Sequence, residues 1–164
     1  MDGGSDMNIR LIDTSIMLNL LGVPKRNSQE KEIREEFLRV IKTEETLILP
    51  MATIIETGNE IARISGSRKR EIAVRFADYL RKTANGEAPW SPELTEIKME
   101  DLKFFADEFV SSATIGVGMG DLSIIRTYEK CRAVLPADRI MIWSTDKHLS
   151  SYKEEKVYSL KRRK

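Results

Sequence analysis

Apolar residues recur along this chain in two rhythms that alternate: short continuous runs, and longer stretches with a helical period. Ile9-Arg10-Leu11-Ile12 reads as a strand ended by Asp13-Thr14-Ser15, and an apolar helix follows from Ile16 to Leu21, stopped by Gly22 and Pro24. Ser28 is placed to cap a charged helix reaching Lys42, with Ile33, Phe37, Leu38 and Ile41 as its buried stripe. Thr46 to Leu49 is the next strand, broken by Pro50, and an amphipathic helix runs from Ala52 to Ile64. After Gly66-Ser67 comes a long basic helix from Arg68 to Lys82. Gly86 to Pro92 is a loop, Leu94 to Ile97 a weak strand, and Glu100 to Val110 a helix. The small, glycine-rich segment Ser111 to Gly120 precedes a helix that Asp121 opens and that ends near Cys131. Arg139 to Trp143 is the clearest central strand, ended by Ser144-Thr145-Asp146, and Lys156 to Leu160 predicts a last edge strand.

Strands alternating with helices predict a single α/β domain: a central, mostly parallel sheet with helices on both faces. The domain is expected over residues 7–160, after a flexible leader, Met1 to Asp6, and before a basic tail, Lys161 to Lys164.

Composition narrows the chemistry. The 164 residues are 41% hydrophobic and 32% charged, which fits a packed core and excludes disordered, collagen-like and disulfide-stapled chains. One cysteine, Cys131, and one histidine, His148, exclude an internal disulfide, a zinc cluster and a His-rich metal site. Any metal must then be a hard ion held by carboxylates. No apolar run reaches the length of a membrane span and no charged-then-apolar leader begins the chain. The expectation is a cytoplasmic protein of a reducing compartment, with no membrane partner. Twenty-seven Lys and Arg against 26 Asp and Glu give a net charge of +1, so no global field advertises nucleic acid. Positive charge is local, at Arg68-Lys69-Arg70 and at Lys161-Arg162-Arg163-Lys164.

In open parallel sheets the ligand crevice lies outside the carboxyl ends of the strands. Asp13 and Asp146 each follow a predicted strand, and Asp121 opens a helix that leads back into one. Each of these alone reads equally well as a helix N-cap. Several carboxylates converging on one crevice would have to take up protons or hold cations. On a helical wheel Asp121 falls within the arc of Ile124, Ile125 and Tyr128, where a metal, an arginine or a capping geometry would relieve it. For the helix after Pro50, the wheel puts Ile54, Ile55, Gly58, Ile61 and Ala62 on one side and Glu56, Asn59, Glu60 and Arg63 on the other. That polar side is either a solvated face or one wall of the crevice.

Other residues carry less. His148 has no partner for acid–base work, Cys131 reads as a small core residue, and Trp90 between prolines reads as packing over its loop. Gly116-Val117-Gly118-Met119-Gly120 lacks the lysine and hydroxyl ending of a phosphate-cradling loop.

Leu11-Ile12-Asp13-Thr14-Ser15, Pro50 with Glu56, Gly120-Asp121 and Ser144-Thr145-Asp146 together resemble, in order along the chain, the PIN domain family and its VapC-type toxin ribonucleases. The resemblance implies an acidic pocket that binds Mg²⁺ or Mn²⁺ and hydrolyses phosphodiesters of single-stranded RNA through a metal-activated water. It implies Asp13, Glu56, Asp121 and Asp146 as metal ligands and catalytic acids, supported by Ser15, Asn59, Ser144 and Thr145. Arg68, Lys69, Arg70 and Lys161 to Lys164 would guide phosphates. The partners it implies are the RNA, a protein antitoxin or inhibitor, and a second copy of the chain. Two other readings stay open: a PIN-type scaffold that binds RNA or protein without catalysis, and a von Willebrand-type metal-dependent adhesion module. In the second, Asp13 and Ser15 fit an Asp-x-Ser-x-Ser motif but Met17 takes the last serine position.

Overall fold

The computed structural model describes residues 7–93, 96–135, 137 and 139–155. Along them run β1 (Asn8–Ile12), α1 (Thr14–Leu21), α2 (Glu30–Lys42), β2 (Thr46–Leu49), α3 (Met51–Ala62) and α4 (Lys69–Ala84). Then come β3 (Ser91–Pro92), α5 (Met99–Thr114), α6 (Met119–Val134), β4 (Arg139–Trp143), α7 (Lys147–Ser150) and β5 (Lys153–Glu155). The sheet order is β3-β2-β1-β4-β5, with the first four strands parallel and β5 antiparallel at the edge. This is the α/β domain with a parallel sheet that the alternation predicts.

Apolar-rich sequences suit β1, which only Arg10 interrupts after Asn8, and β4, because a central parallel strand is covered on both faces. Successive side chains point to opposite faces of the sheet. Ile9, Leu11, Ile140 and Ile142 meet Ile124, Tyr128 and Cys131 of α6 and Leu149 of α7. Ile12 and Trp143 point the other way, into a larger core with Ile16 and Leu20 of α1, Val40 of α2 and Ile72 of α4. Arg10 lies on that second face, buried, with Glu45 at 2.8 Å, Glu36 at 3.0 Å and the Trp143 ring 5.3 Å away. A buried charge needs such paired neighbours.

Helix α1 is buried along almost its whole length and stops at Gly22, whose φ of 70° suits glycine. The carbonyls of Leu20 and Leu21 at that end accept from Arg34 (2.9 Å) and Arg75 (2.8 Å), cations placed at the negative end of the helix. The chain leaves β1 toward β2 and β3 and returns through α5 and α6 to β4 on the other side. The reversal falls between β1 and β4, the switch point at which open α/β sheets leave a crevice.

Local details differ from the sequence pattern. Gln29, not Ser28, is the N-cap of α2. The helix buries Ile33 and Val40 with Phe37 half-buried, while Leu38 and Ile41 are exposed. Residues spaced by four and three form the stripe that faces α1. A short strand, β3, sits inside the expected Gly86–Pro92 loop, and Pro92 is tolerated there because β3 is an edge strand. Glu96 and Ile97 are not in a strand, and Leu94 and Thr95 of the expected one lie outside the described residues. Helix α5, expected to end near Val110, continues to Thr114, into the first part of the glycine-rich segment. The antiparallel edge strand lies at Lys153–Glu155; the expected one at Lys156–Leu160, the leader Met1–Asp6 and the tail Lys161–Lys164 lie outside the described residues. Among the described residues no helix is long and apolar enough to cross a membrane.

Candidate functional site

Asp13 stands directly after β1, where its backbone N–H donates to the carbonyl of Trp143 at the end of β4 (3.0 Å). The two central strands therefore release their chains side by side. Asp13 takes the N-cap position of α1, but its side chain makes no capping bond. Its Oδ2 instead accepts from Ser144 Oγ (2.6 Å) and Ser15 Oγ (3.0 Å). A serine hydroxyl has one proton to give. With both protons on Asp13, the hydroxyl oxygens accept the backbone N–H groups of Asp146 (2.9 Å) and Thr145 (3.0 Å). The loop after β4 is thus wrapped onto the carboxylate of Asp13, a residue only 6% exposed. Asp146 does cap a helix: its Oδ1 accepts the backbone N–H of His148 at 2.9 Å, at the start of α7.

Helix α3 brings Glu56 to the same strand ends. Its buried stripe is Thr53, Thr57 and Ile61, while Ile55 and Ala62, expected on the apolar side, are exposed. Thr53 Oγ1 donates to the carbonyl of Ile12 (2.7 Å), which pins the helix to the end of β1. Glu56, three residues on, is half-buried beside Asp13, and its Oε2 accepts from Thr14 Oγ1 at 3.2 Å.

Asp121 does not open α6. Gly118 is the N-cap, and Asp121 is the third residue of the helix, so the wheel applies and turns it inward with the buried Ile124 and Tyr128. The preceding Gly120 has its own reason. A Cβ there would overlap the carboxylate of Glu56, so glycine lets that carboxylate lie where it does, against the backbone of α6.

Asp13, Glu56, Asp121 and Asp146 all line one cavity of about 390 Å³, with Thr14, Ser15, Asn59 and Thr145. Ser144 acts behind it through Asp13. Burial pushes the Asp121 carboxyl up to about 6, and the charges of Asp13, Glu56 and Asp146 add to the effect while His148 partly offsets it. Glu56 is also raised, first by burial; Asp13 and Glu60 add to this, and the Thr14 hydrogen bond and Arg26 oppose it. Among the described residues, no group of three or more His, Cys, Asp or Glu side chains is arranged to hold a metal ion. The acids around the cavity offer oxygen donors of the kind a hard cation takes, but not a closed ligand shell.

The remaining candidates separate clearly. Arg68, Lys69 and Arg70 are exposed at the start of α4 and do not line the cavity, and Lys161 to Lys164 lie outside the described residues. Trp90, expected to pack over its loop, is buried, donating from Nε1 to Thr83 Oγ1 (2.8 Å) and packing against Tyr79 and Phe37. Cys131 is buried too, and burial pushes its thiol up to about 11. The cavity includes two residues that spacing did not single out. Thr14 sits between two residues that were singled out, and only its contact with Glu56 gives it a role. Arg26, in the turn after α1, reaches Glu60 of α3 at 2.8 Å, a tertiary contact with no sequence signal.

Comparison with protein-family models, with curated proteins and with solved structures finds no match for this chain.

Proposed function

We propose that this protein is a metal-dependent endoribonuclease of the PIN type that hydrolyses phosphodiesters of single-stranded RNA with water as nucleophile. One observation carries the reading: four carboxylates from four separate chain segments meet around one cavity at the carboxyl ends of β1 and β4. Such crowding is unfavourable unless protons or a cation offset it. Mg²⁺ or Mn²⁺, when bound, would neutralise phosphate charge and acidify a water. Asp13, Glu56, Asp121 and Asp146 would hold the ion, in part through its own waters.

Asp13 is oriented in advance by Ser15 and Ser144, which lowers the reorganisation needed at the moment of reaction. Asp121, raised to about 6, can take up or release a proton closer to neutral pH than a solvated acid can, and burial raises Glu56 in the same direction. Neither cysteine nor histidine lines the cavity, and of its hydroxyl residues, Thr14, Ser15 and Thr145, the first two already donate to carboxylates. Water therefore fits as nucleophile better than a side chain. It adds across the P–O bond to the 3′ oxygen; one water proton goes to the leaving oxygen, giving a 3′-hydroxyl and a 5′-phosphate. An open crevice at the strand ends suits a splayed single strand. The same reading extends to a cytoplasmic toxin with a protein antitoxin and to a homodimer.

A second reading keeps the scaffold without catalysis, as a module that binds RNA or protein. It is favoured by the lack, among the described residues, of a side-chain group arranged to hold a metal. The adhesion-module reading loses ground, because Met17 is fully buried and its position cannot serve the cavity. Incubation of unstructured RNA with the protein and Mn²⁺, repeated with EDTA and with Asp121→Asn, decides between them. The nuclease reading expects cleavage that both changes abolish. Cleavage persisting in EDTA or in the variant overturns it, and tight RNA binding without cleavage favours the binding module.

A further inference from the structure

We infer that Arg26 and Arg63, held side by side by Glu60, bind the phosphate backbone of the substrate at the mouth of the acidic cavity; this rests on the nuclease reading above. Glu60 uses both carboxylate oxygens. Oε2 accepts from Arg26 Nη1 at 2.8 Å and Oε1 from Arg63 Nη1 at 2.9 Å. Each guanidinium carries five N–H donors. One is committed to Glu60 and the rest are left for an anion, and the trio keeps a net charge of +1.

Stability does not account for the arrangement. Arg26 is 48% exposed and Arg63 72%, and ion pairs that open to water contribute little. Function gives a clearer reason. The cavity lining holds five carboxylates, those of Asp13, Glu56, Glu60, Asp121 and Asp146, and a polyanion entering it is repelled by all of them. Arg26 and Arg63 are the cations of that lining. Glu56 and Glu60 climb one face of α3 at helical spacing, and Arg63, the C-cap of that helix, continues the row. Arg63 thus stands about 10 Å along the axis from Glu56. The pair would grip a phosphate next to the one being cleaved, so it acts on binding more than on chemistry. A guanidinium fork suits phosphate better than an ammonium does.

Steady-state cleavage of an unstructured RNA oligonucleotide in Mn²⁺, measured across a salt series, tests this for Arg26→Ala, Arg63→Ala, the double variant and Arg63→Lys. The double variant should raise KM by about tenfold or more, with a much smaller change in kcat. The salt slope of log KM should shrink by about 0.7 for each arginine removed. Arg63→Lys should keep the slope and recover only part of the KM. Arg39→Ala, which takes a guanidinium from a surface pair with Glu36 on α2, should move neither quantity. A double variant with wild-type KM and slope, in a protein that still cleaves, overturns the clamp and leaves the nuclease reading standing. A wild-type protein that cleaves no RNA in Mn²⁺ overturns both.

Discussion

The carboxylate of Glu56 occupies the space in which a side chain at Gly120 would have to begin. Helices α3 and α6 therefore meet where one supplies an acid and the other only backbone. The contact also sets Asp121, the next residue along, on the same cavity as Glu56.

Replacing Gly120 with alanine should separate stability from activity. In an ordinary helix this exchange gains about 1 kcal/mol. Here the new methyl group meets the far end of a flexible side chain, so Glu56 swings aside and the fold survives. Thermal melts should show a midpoint equal to or above wild type, while RNA cleavage in Mn²⁺ falls by about tenfold or more. Adding Gly120→Ala to Glu56→Gln should then cost nothing further, because both act on the same carboxylate. Additive losses would mean that the glycine serves some other purpose.

The acid cluster makes a signed prediction about pH. Asp121 is raised from an ordinary 3.8 to about 6 in the folded chain, so between those values the folded state binds more protons than the unfolded one. Its contribution is complete below about pH 4 and is lost as pH rises through about 6. With partial exposure discounted, the loss is about 1–2 kcal/mol. Glu56 acts in the same direction. Without metal, the protein should melt lower near pH 7.5 than near pH 5, and Asp121→Asn should shrink that gap, by about half or more. Mn²⁺ should raise the higher-pH melt more, since it competes with protons for the same oxygens. A pH-independent response to Mn²⁺ would mean that the ion binds elsewhere.

Asp101 predicts the reverse sign. It is the buried residue of α5, accepting from Lys130 Nζ (2.6 Å), the Lys98 backbone N–H (2.8 Å) and Arg126 Nε (2.9 Å). The Lys130 hydrogen bond, above all, holds its carboxyl well below the usual range against the effect of burial. Its contribution is present above about pH 4 and lost as pH falls further. Asp101→Ala should cost about 3 kcal/mol in urea titrations near neutral pH. The difference from wild type should narrow at about pH 3, and amides of α5 should exchange faster with solvent in the variant. An equal cost at both pH values would show that the carboxylate acts by packing alone.

Thr57 offers a gain. Its hydroxyl is buried without a hydrogen-bond partner among the described residues, in the stripe that α3 turns toward the core. Thr57→Val keeps the shape and removes the unsatisfied group, and should raise stability by about 1 kcal/mol by denaturant titration. A loss of stability would reveal a partner for that hydroxyl, such as a bound water.

The parts legible in the sequence are those that depend on one segment at a time. β1 and β4 stand out as apolar-rich segments, and their ends place Asp13 and Asp146. The inward turn of Asp121 follows from its helical arc, although α6 begins two residues earlier than the pattern suggests. What stayed hidden depends on contacts between segments. Thr53 and Thr57 form a core stripe because α3 lies close against the end of β1, where Thr53 finds a carbonyl; hydropathy ranks both as polar and favours Ile55. Arg10 is buried in a central strand because Glu45, 35 positions away, answers its charge. β3 has only two residues, one of them proline, and no periodicity could announce it.

The two hydroxyls that orient Asp13 come from Ser15 and Ser144, 129 positions apart, and the site closes only where β4 lies beside β1. During synthesis from the N-terminus, Asp13, Glu56 and Asp121 all emerge before Trp143 and Ser144 do. Until β4 slots into the middle of the sheet, Asp13 lacks the Ser144 hydroxyl and the neighbouring strand. The topology therefore works as a timer: a nascent chain carries Asp13, Glu56 and Asp121 early, yet cannot fix Asp13 in its final setting before β4 and Ser144 have emerged.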